Sequence, residues 1–271
     1  MKIRHKKKLV ALKYWLAVFG ARSLDVFREA GGISILFGQT ICSMVTSRWR
    51  KSHLIDQMTK IGVTSLPLVF LTALFTGMVL ALQSAYQLRM FNALNYTAGL
   101  VSLSITRELG PVLTAMVVAG RVGAAITAEL GTMKVTEQID ALSSLGTDPI
   151  RYLAVPRFIA AVCMLPLLTV YADFIGIFGG YVVAVLKLGL SSSQYIQDSF
   201  DVLVFKDVFT GLIKSFAFGG IIAVIGCYQG FNTRGGAEGV GRATTVSVVT
   251  SLILIITSDC LFTAIFYFVF P

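Results

Sequence analysis

Charge is scarce in this chain: Asp, Glu, Lys and Arg make up 14% of its 271 residues, against 55% apolar residues. That balance cannot clothe one soluble domain of this length in polar surface, so the composition places the chain in a bilayer. Histidine is nearly missing; His5 and His53 both lie in the basic N-terminal region, far from any cluster of carboxylates or cysteines, which argues against a metal site. Cys42, Cys163, Cys227 and Cys260 stand singly in apolar segments with no Cys-x-x-Cys spacing, as small buried hydrophobes do and disulfide frameworks do not. No Gly-Lys dipeptide occurs, and a P-loop needs one to hold phosphates, so the chain is not a self-contained ATPase of that type. Gly-x-Ser-x-Gly and His-Glu-x-x-His are absent and no histidine falls inside an apolar span, so the usual nucleophile, base and metal arrangements of an intramembrane enzyme are missing.

What charge there is has a pattern. The net charge of +9 comes from basic residues crowding the N-terminus (Lys2, Arg4, Lys6, Lys7, Lys8, Lys13) and the short loops between apolar runs. This is the positive-inside distribution, and it needs no nucleic acid to explain it. Met1 to Ala21 has the basic start and short apolar stretch of a signal peptide, but Lys13 interrupts it, so the segment reads as retained and cytoplasmic.

A spanning helix needs about 20 mostly apolar residues. Five segments satisfy that: Ile61 to Leu88, Gly99 to Ala128, Tyr152 to Leu186, Val208 to Asn232 and Thr244 to Phe270. The third is long for one span and short for two with a turn, and Pro156 and Pro166 fit a kink in one tilted helix. One span there puts the N-terminus and the basic connections 133–151 and 233–242 on one side, and leaves the C-terminus outside. Ahead of the first span, Ala30 to Ser47 sets Ile33, Leu36, Phe37, Ile41, Met44 and Val45 opposite Ser34, Gln39, Ser43 and Thr46, a pattern for an amphipathic helix lying in the interface. A sixth span there would reverse the topology and lose the charge bias. The expected architecture is therefore an all-α integral membrane protein, with a basic segment and interfacial helix over 1–60 and a five-helix transmembrane domain over 61–271. Gly120 with Ala124, Gly176 with Gly180 and Gly226 with Gly230 would let helices approach closely.

An ionised group in hydrocarbon costs several kcal/mol unless it is paired or faces water. Arg107 and Glu108 are adjacent inside the second span, and Asp173, Lys214 and Asp259 lie in the third, fourth and fifth. At a rise of about 1.5 Å per residue, Arg107 and Glu108 fall roughly 12 Å below the outer helix end, and Asp259 about 22 Å up from the inner end, in the same outer half. Asp173 and Lys214 come out nearer the external face, where Lys214 can snorkel outward. A structural bridge explains Asp173, Lys214 and Asp259 as well as a functional role does. Arg107 and Glu108, about 100° apart on a helix, cannot both face one partner, so at least one should border a water-filled or headgroup-filled cavity, and a guanidinium suits a phosphate.

Between the second and third spans, Gly131 to Gly146 is too polar to cross the membrane. It sets Met133, Ile139, Leu142 and Leu145 among Lys134, Glu137, Gln138 and Asp140, an amphipathic cytoplasmic helix whose apolar face needs a partner: lipid, or a soluble motor to which it acts as a coupling helix.

The runs Arg107-Glu108-Leu109-Gly110-Pro111, Ala119-Gly120-Arg121-Val122-Gly123, Ala128-Glu129-Leu130-Gly131-Thr132-Met133 and Thr136-Glu137-Gln138-Ile139-Asp140, with Pro156-Arg157-Phe158 and 235–245, resemble the MlaE/YrbE permease family from about Ile61 onward. The resemblance implies the membrane subunit of an ABC transporter in a bacterial inner membrane that works with MCE-domain proteins to move phospholipid or another hydrophobic substrate. It further implies a homodimer, two cytoplasmic ATPase subunits that bind the ATP, no cofactor in this chain, and in some systems a STAS-domain protein. Arg107 and Glu108 would line the lipid cavity, with Leu80, Leu88 and Phe91 as its apolar wall; Glu129, Met133, Lys134, Glu137, Gln138, Ile139 and Asp140 would contact the ATPase. A proton-coupled secondary carrier using Glu108, Asp173 and Asp259 as relay carboxylates is the main rival reading. A passive scaffold leaves the cost of the Arg107/Glu108 pair unexplained.

Overall fold

The computed structural model describes residues 24, 27–45 and 51–269, and every element among them is helical. The basic start, Met1 to Lys13, lies outside the described residues. Helix α1 covers 27–45; α2 (Lys51–Ile61) leads through a tight turn at Val63–Ser65 into α3 (Leu66–Arg89). The second long helix is built from α4 (Thr97–Ser104), α5 (Gly110–Val118) and α6 (Ala124–Val135), joined by wide π turns at Ile105–Leu109 and Ala119–Gly123. The short α7 (Gln138–Ser144) follows, then a third π turn at Ile150–Ala154, α8 (Val155–Leu186), α9 (Ser192–Val202), α10 (Phe205–Phe231) and α11 (Gly236–Val269).

Five helical runs are long and apolar enough to cross a membrane: Lys51–Arg89, Leu94–Val135, Ile150–Leu186, Phe205–Phe231 and Gly236–Phe268. They match the five expected segments, and the first also takes in α2. The third is one continuous run, as its length and charge pattern required. Pro166 sits inside α8, whereas Pro156 comes just after the π turn at Ile150–Ala154.

Small residues set how closely these helices pack. Gly77 on α3 faces Gly176 on α8 so tightly that a Cβ on Gly77 would collide with the Gly176 carbonyl. Gly219 on α10 meets the backbone of Ala161 on α8 in the same way. Of the three expected close-approach pairs, Gly176/Gly180 and Gly226/Gly230 lie at such contacts, while Gly120 faces open space. The main core, with Leu130, Leu165, Leu168, Phe218 and Ile222 buried, fills the space among α5, α6, α8 and α10.

Helix α1 divides its apolar residues between two faces. Leu36 is buried in the main core with Ile33 and Met44 packed against it, whereas Ile35, Phe37, Ile41 and Val45 stand exposed. The residues expected on one apolar face thus split, because the bundle itself covers part of the helix. α11 is the least covered span, with 11% of its most apolar window buried against 28% to 56% in the others.

Gly77→Leu is expected to lower stability by about 2 kcal/mol through overpacking at the α3–α8 contact. Thermal unfolding of the detergent-purified protein would show this as a lower midpoint; an unchanged midpoint would mean that the two backbones do not meet there.

Candidate functional site

Lys214 is the centre of the polar site. It lies nine residues past the start of α10 at Phe205, and Glu108 lies eleven past the start of α4 at Thr97, so the two reach nearly the same level from the same end of the bundle. The Lys214 side chain is only 2% exposed. Its Nζ donates to Glu108 Oε2 at 2.6 Å, to Thr263 Oγ1 at 2.8 Å and to the Arg107 carbonyl at 3.3 Å, and forms an ion pair with Asp259 Oδ1 at 2.9 Å. Thr263 in turn donates to Glu108 Oε1 at 3.1 Å. The second span, α10 and α11 are therefore tied at one point.

Lys214 does not snorkel toward the external face as expected. It is the buried member of the cluster, and the carboxylates are its wetter side: Glu108 is 41% exposed and Asp259 21%. A buried ammonium needs all its donors engaged, and two neighbouring helices, the second span and α11, supply the acceptors. One ammonium against two carboxylates leaves an excess negative charge, which in a bilayer requires the more exposed carboxylate, Glu108, to meet a polar medium.

Arg107 points elsewhere. Its Nε lies 3.2 Å from Asp207 Oδ1, on a side chain only 8% exposed, while the Arg107 side chain is 46% exposed. Asp207 also accepts from the Val204 N–H at 3.2 Å, capping α10. Arg107 thus pins the start of α10 to the second span and still presents half its surface outward. The adjacent residues do face different partners, as helix geometry demands, and both are partly open. Asp207 was not among the expected site residues; its position in the first turn of a helix, where an acid satisfies free N–H groups, is the signal for it.

Asp173 is separate from this cluster. Its carboxylate lies against Gly110, where a Cβ would collide with it, and its buried Oδ1 has no hydrogen-bond partner among the described residues. Here too the expected position near the external face is replaced by one inside the bundle. Of the expected apolar wall, Leu80 packs on the cluster of Ala81, Val101, Ile105 and Val183, Leu88 is half-buried near the end of α3, and Phe91 is 80% exposed in the turn after it.

At the opposite end, the residues expected to form a coupling surface divide. Glu129 holds the buried Arg157 at 2.9 Å, with Lys60 at 3.8 Å, and Arg157 also donates to the Leu153 carbonyl at 2.7 Å. Arg157, fully enclosed, braces the third π turn; the sequence marked it only as part of the Pro156-Arg157-Phe158 run, with no role. Ile139 is buried in the main core, with Met133 and Leu142 packed against it, so the apolar face of α7 finds its partner in the bundle. Glu137, Gln138 and Asp140 remain exposed, Lys134 pairs with Asp140 at 2.9 Å, and Leu145 is 80% exposed. Glu137 takes a positive φ of 61°, which turns the chain sharply between α6 and α7. A cleft of about 370 Å³ opens beside this corner between α1, α10 and the segment 148–150.

A family model described as "Permease MlaE" matches residues 54–265. A protein of Rickettsia felis named "Probable ABC transporter permease protein" is 47% identical over 248 residues, covering 92% of this chain and 96% of that one. A Synechocystis protein of the same description, slr1045, is 44% identical over 233 residues, 86% of this chain and 89% of its own. The Arabidopsis thaliana protein named trigalactosyldiacylglycerol 1, chloroplastic, is 37% identical over 235 residues, 87% of this chain and 67% of its own.

Lys214→Met is expected to cost about 3 kcal/mol, because it strands two carboxylates, and adding Glu108→Gln and Asp259→Asn should restore most of that loss. Denaturant unfolding of the single and triple variants measures both; equal stability of Lys214→Met and the unaltered protein would show that the cluster holds nothing together.

Proposed function

The chain belongs to the MlaE permease family, the membrane components of ABC transporters, and on that premise we propose that it moves phospholipid or another hydrophobic substrate between membranes. As an ABC permease subunit it is a non-catalytic transport component that works with an ATPase partner, and it is an integral membrane protein with five candidate spans. The observation that carries the substrate reading is the cluster around Lys214: half-exposed Glu108 and Arg107 give the flank of an apolar bundle a polar edge of both signs. A zwitterionic or anionic headgroup beside acyl chains has that character. The name of the chloroplast relative is that of a glycolipid, which supports a lipid substrate.

The polar edge lies along α11, the least covered span. A second copy of the chain against α11 would turn the open edge into a shared chamber, with Arg107, Glu108, Leu80, Leu88 and Phe91 toward the lipid. That is the homodimer of this reading. At the other end, the exposed side of α7, with Glu137, Gln138, Asp140 and Leu145, is the surface for the ATPase, and ATP is bound there and not in this chain. Glu129, Met133 and Ile139 support that surface from within. An MCE-domain protein on the outer side, and a STAS-domain protein in some assemblies, complete the complex. The family resemblance implies a bacterial inner membrane, and the positive-inside bias favours a cytoplasmic N-terminus and a periplasmic C-terminus there. The carboxylates Glu108 and Asp259 share one lysine instead of forming a chain across the bilayer, which weighs against a proton relay.

In proteoliposomes containing the permease, its ATPase and its MCE partner, Arg107→Glu is expected to slow ATP-driven transfer of a fluorescent phospholipid about tenfold or more, since it opposes Asp207 and removes the phosphate-compatible charge. An unchanged rate would remove Arg107 from the substrate path. Combining Glu137→Lys with Leu145→Asp should reduce co-purification of the ATPase by about an order of magnitude while membrane insertion stays intact. Full recovery of the ATPase would place the coupling surface elsewhere.

A further inference from the structure

Each of the three π turns carries one arginine: Arg107, Arg121 and Arg151. Arg107 has Asp207. Arg121, in the Ala119–Gly123 turn, has no carboxylate within ion-pair distance among the described residues. It lies fourteen residues beyond Arg107 on the same span, about 20 Å further along the helix, toward the end that carries α7 and the α10–α11 turn.

Two hydroxyls hold it in place. Its Nη1 donates to Ser65 Oγ at 2.7 Å and its Nη2 to Thr64 Oγ1. Those hydroxyls spend their own protons on backbone carbonyls, Ser65 on Ile61 and Thr64 on Lys60, each at 2.6 Å, so both oxygens are fixed as acceptors. The guanidinium is thereby oriented without being neutralised. Of its five N–H groups two are used, which leaves three for a ligand. The approach is open: Arg121 is half-buried, Thr64 is exposed, and a Cβ on neighbouring Gly120 would meet nothing within 4 Å. Val63 and Leu68 stand exposed at 54% and 42% on the same α2–α3 junction, giving an apolar surface next to the charge.

An uncompensated, pre-oriented guanidinium at an apolar surface inside a membrane span is costly unless an anion completes it. We propose that Arg121, oriented by Thr64 and Ser65, is a second phosphate-binding site, taking the phosphodiester of a phospholipid in the leaflet opposite the Arg107 cluster. The lipid source is favoured over free phosphate by Val63 and Leu68, which would contact acyl chains. The inference deepens the lipid-permease reading and rests on it. Two phosphate sites on one helix, one in each leaflet, would let the same span hold a headgroup at both ends of its path.

The test measures the affinity of the full-length protein for phosphatidylglycerol against a galactosyl diacylglycerol, which lacks phosphate, by native mass spectrometry from delipidated micelles. The unaltered protein is expected to prefer phosphatidylglycerol, and Arg121→Gln to reduce that preference about tenfold, as loss of one bidentate charge-assisted contact would. Arg121→Lys, which keeps the charge but not the fork, should fall between them, and it serves if Arg121→Gln does not fold. A purely structural peg would lower the melting temperature and leave the ratio of the two lipids unchanged, which would overturn the proposal. Displacement of phosphatidylglycerol by inorganic phosphate at equal concentration would overturn the lipid source. Arg107→Gln is the companion measurement: if it abolishes the preference and Arg121→Gln does not, the second site fails and the permease reading stands. If neither variant changes it, both fail.

Discussion

An ammonium group has no stable place inside a hydrocarbon layer unless acceptors surround it, and Lys214, on α10, finds them on two other helices. Glu108 comes from the second span, Asp259 and Thr263 from α11, and the Arg107 carbonyl from the π turn that also carries Glu108. Removing any one helix would strand a charge. α11 is the least covered span, and its polar ties to the rest of the bundle include this cluster and Ser247, which meets Thr127 at 2.8 Å. The cost of burying the lysine is thus offset by a geometric constraint: the fifth span is held at a defined register while most of its surface stays free.

The π turns make this arrangement possible. A wide turn inserts an extra residue and changes the direction of the side chains that follow, and such turns occur often at functional sites. The turn at Ile105–Leu109 carries both Glu108, which meets Lys214, and Arg107, which meets Asp207. At Ala119–Gly123 it brings Arg121 to the α2–α3 junction. At Ile150–Ala154 the turn is braced by Arg157, whose other contact is Glu129. Gly110, immediately after the first turn, leaves room for the Asp173 carboxylate. Backbone irregularity and membrane charge therefore coincide on the second and third spans.

The number of spans was legible in the sequence because membrane thickness sets helix length, and the single long third span followed from loop charge. The level of Glu108 and Asp259 was legible for the same reason: rise per residue converts position into depth. Lys214 was placed too near the surface because depth was counted from the hydrophobic boundary at Val208, whereas α10 begins at Phe205, with Asp207 already inside its first turn; Asp173 was placed too near the surface although the end of α8 at Leu186, thirteen residues beyond it, was read correctly. Partners could not be read at all. Which acid meets which base depends on helix rotation, and the π turns alter that rotation with no mark in composition or periodicity. The apolar face of α7 was visible, but only packing shows that Ile139 closes onto its own bundle and leaves the polar side outward.

The central claim is that the Lys214 cluster borders a polar opening shared with lipid headgroups, instead of forming a sealed strut. The most direct measurement is the reaction of Glu108→Cys, in a variant whose four native cysteines are replaced, with a water-soluble, membrane-impermeant thiol reagent. Modification in detergent, with protection when phosphatidylglycerol is added, is the result expected from a carboxylate position 41% exposed at a headgroup chamber. A thiol that stays unreactive with and without lipid would show the position closed to water and would contradict the account.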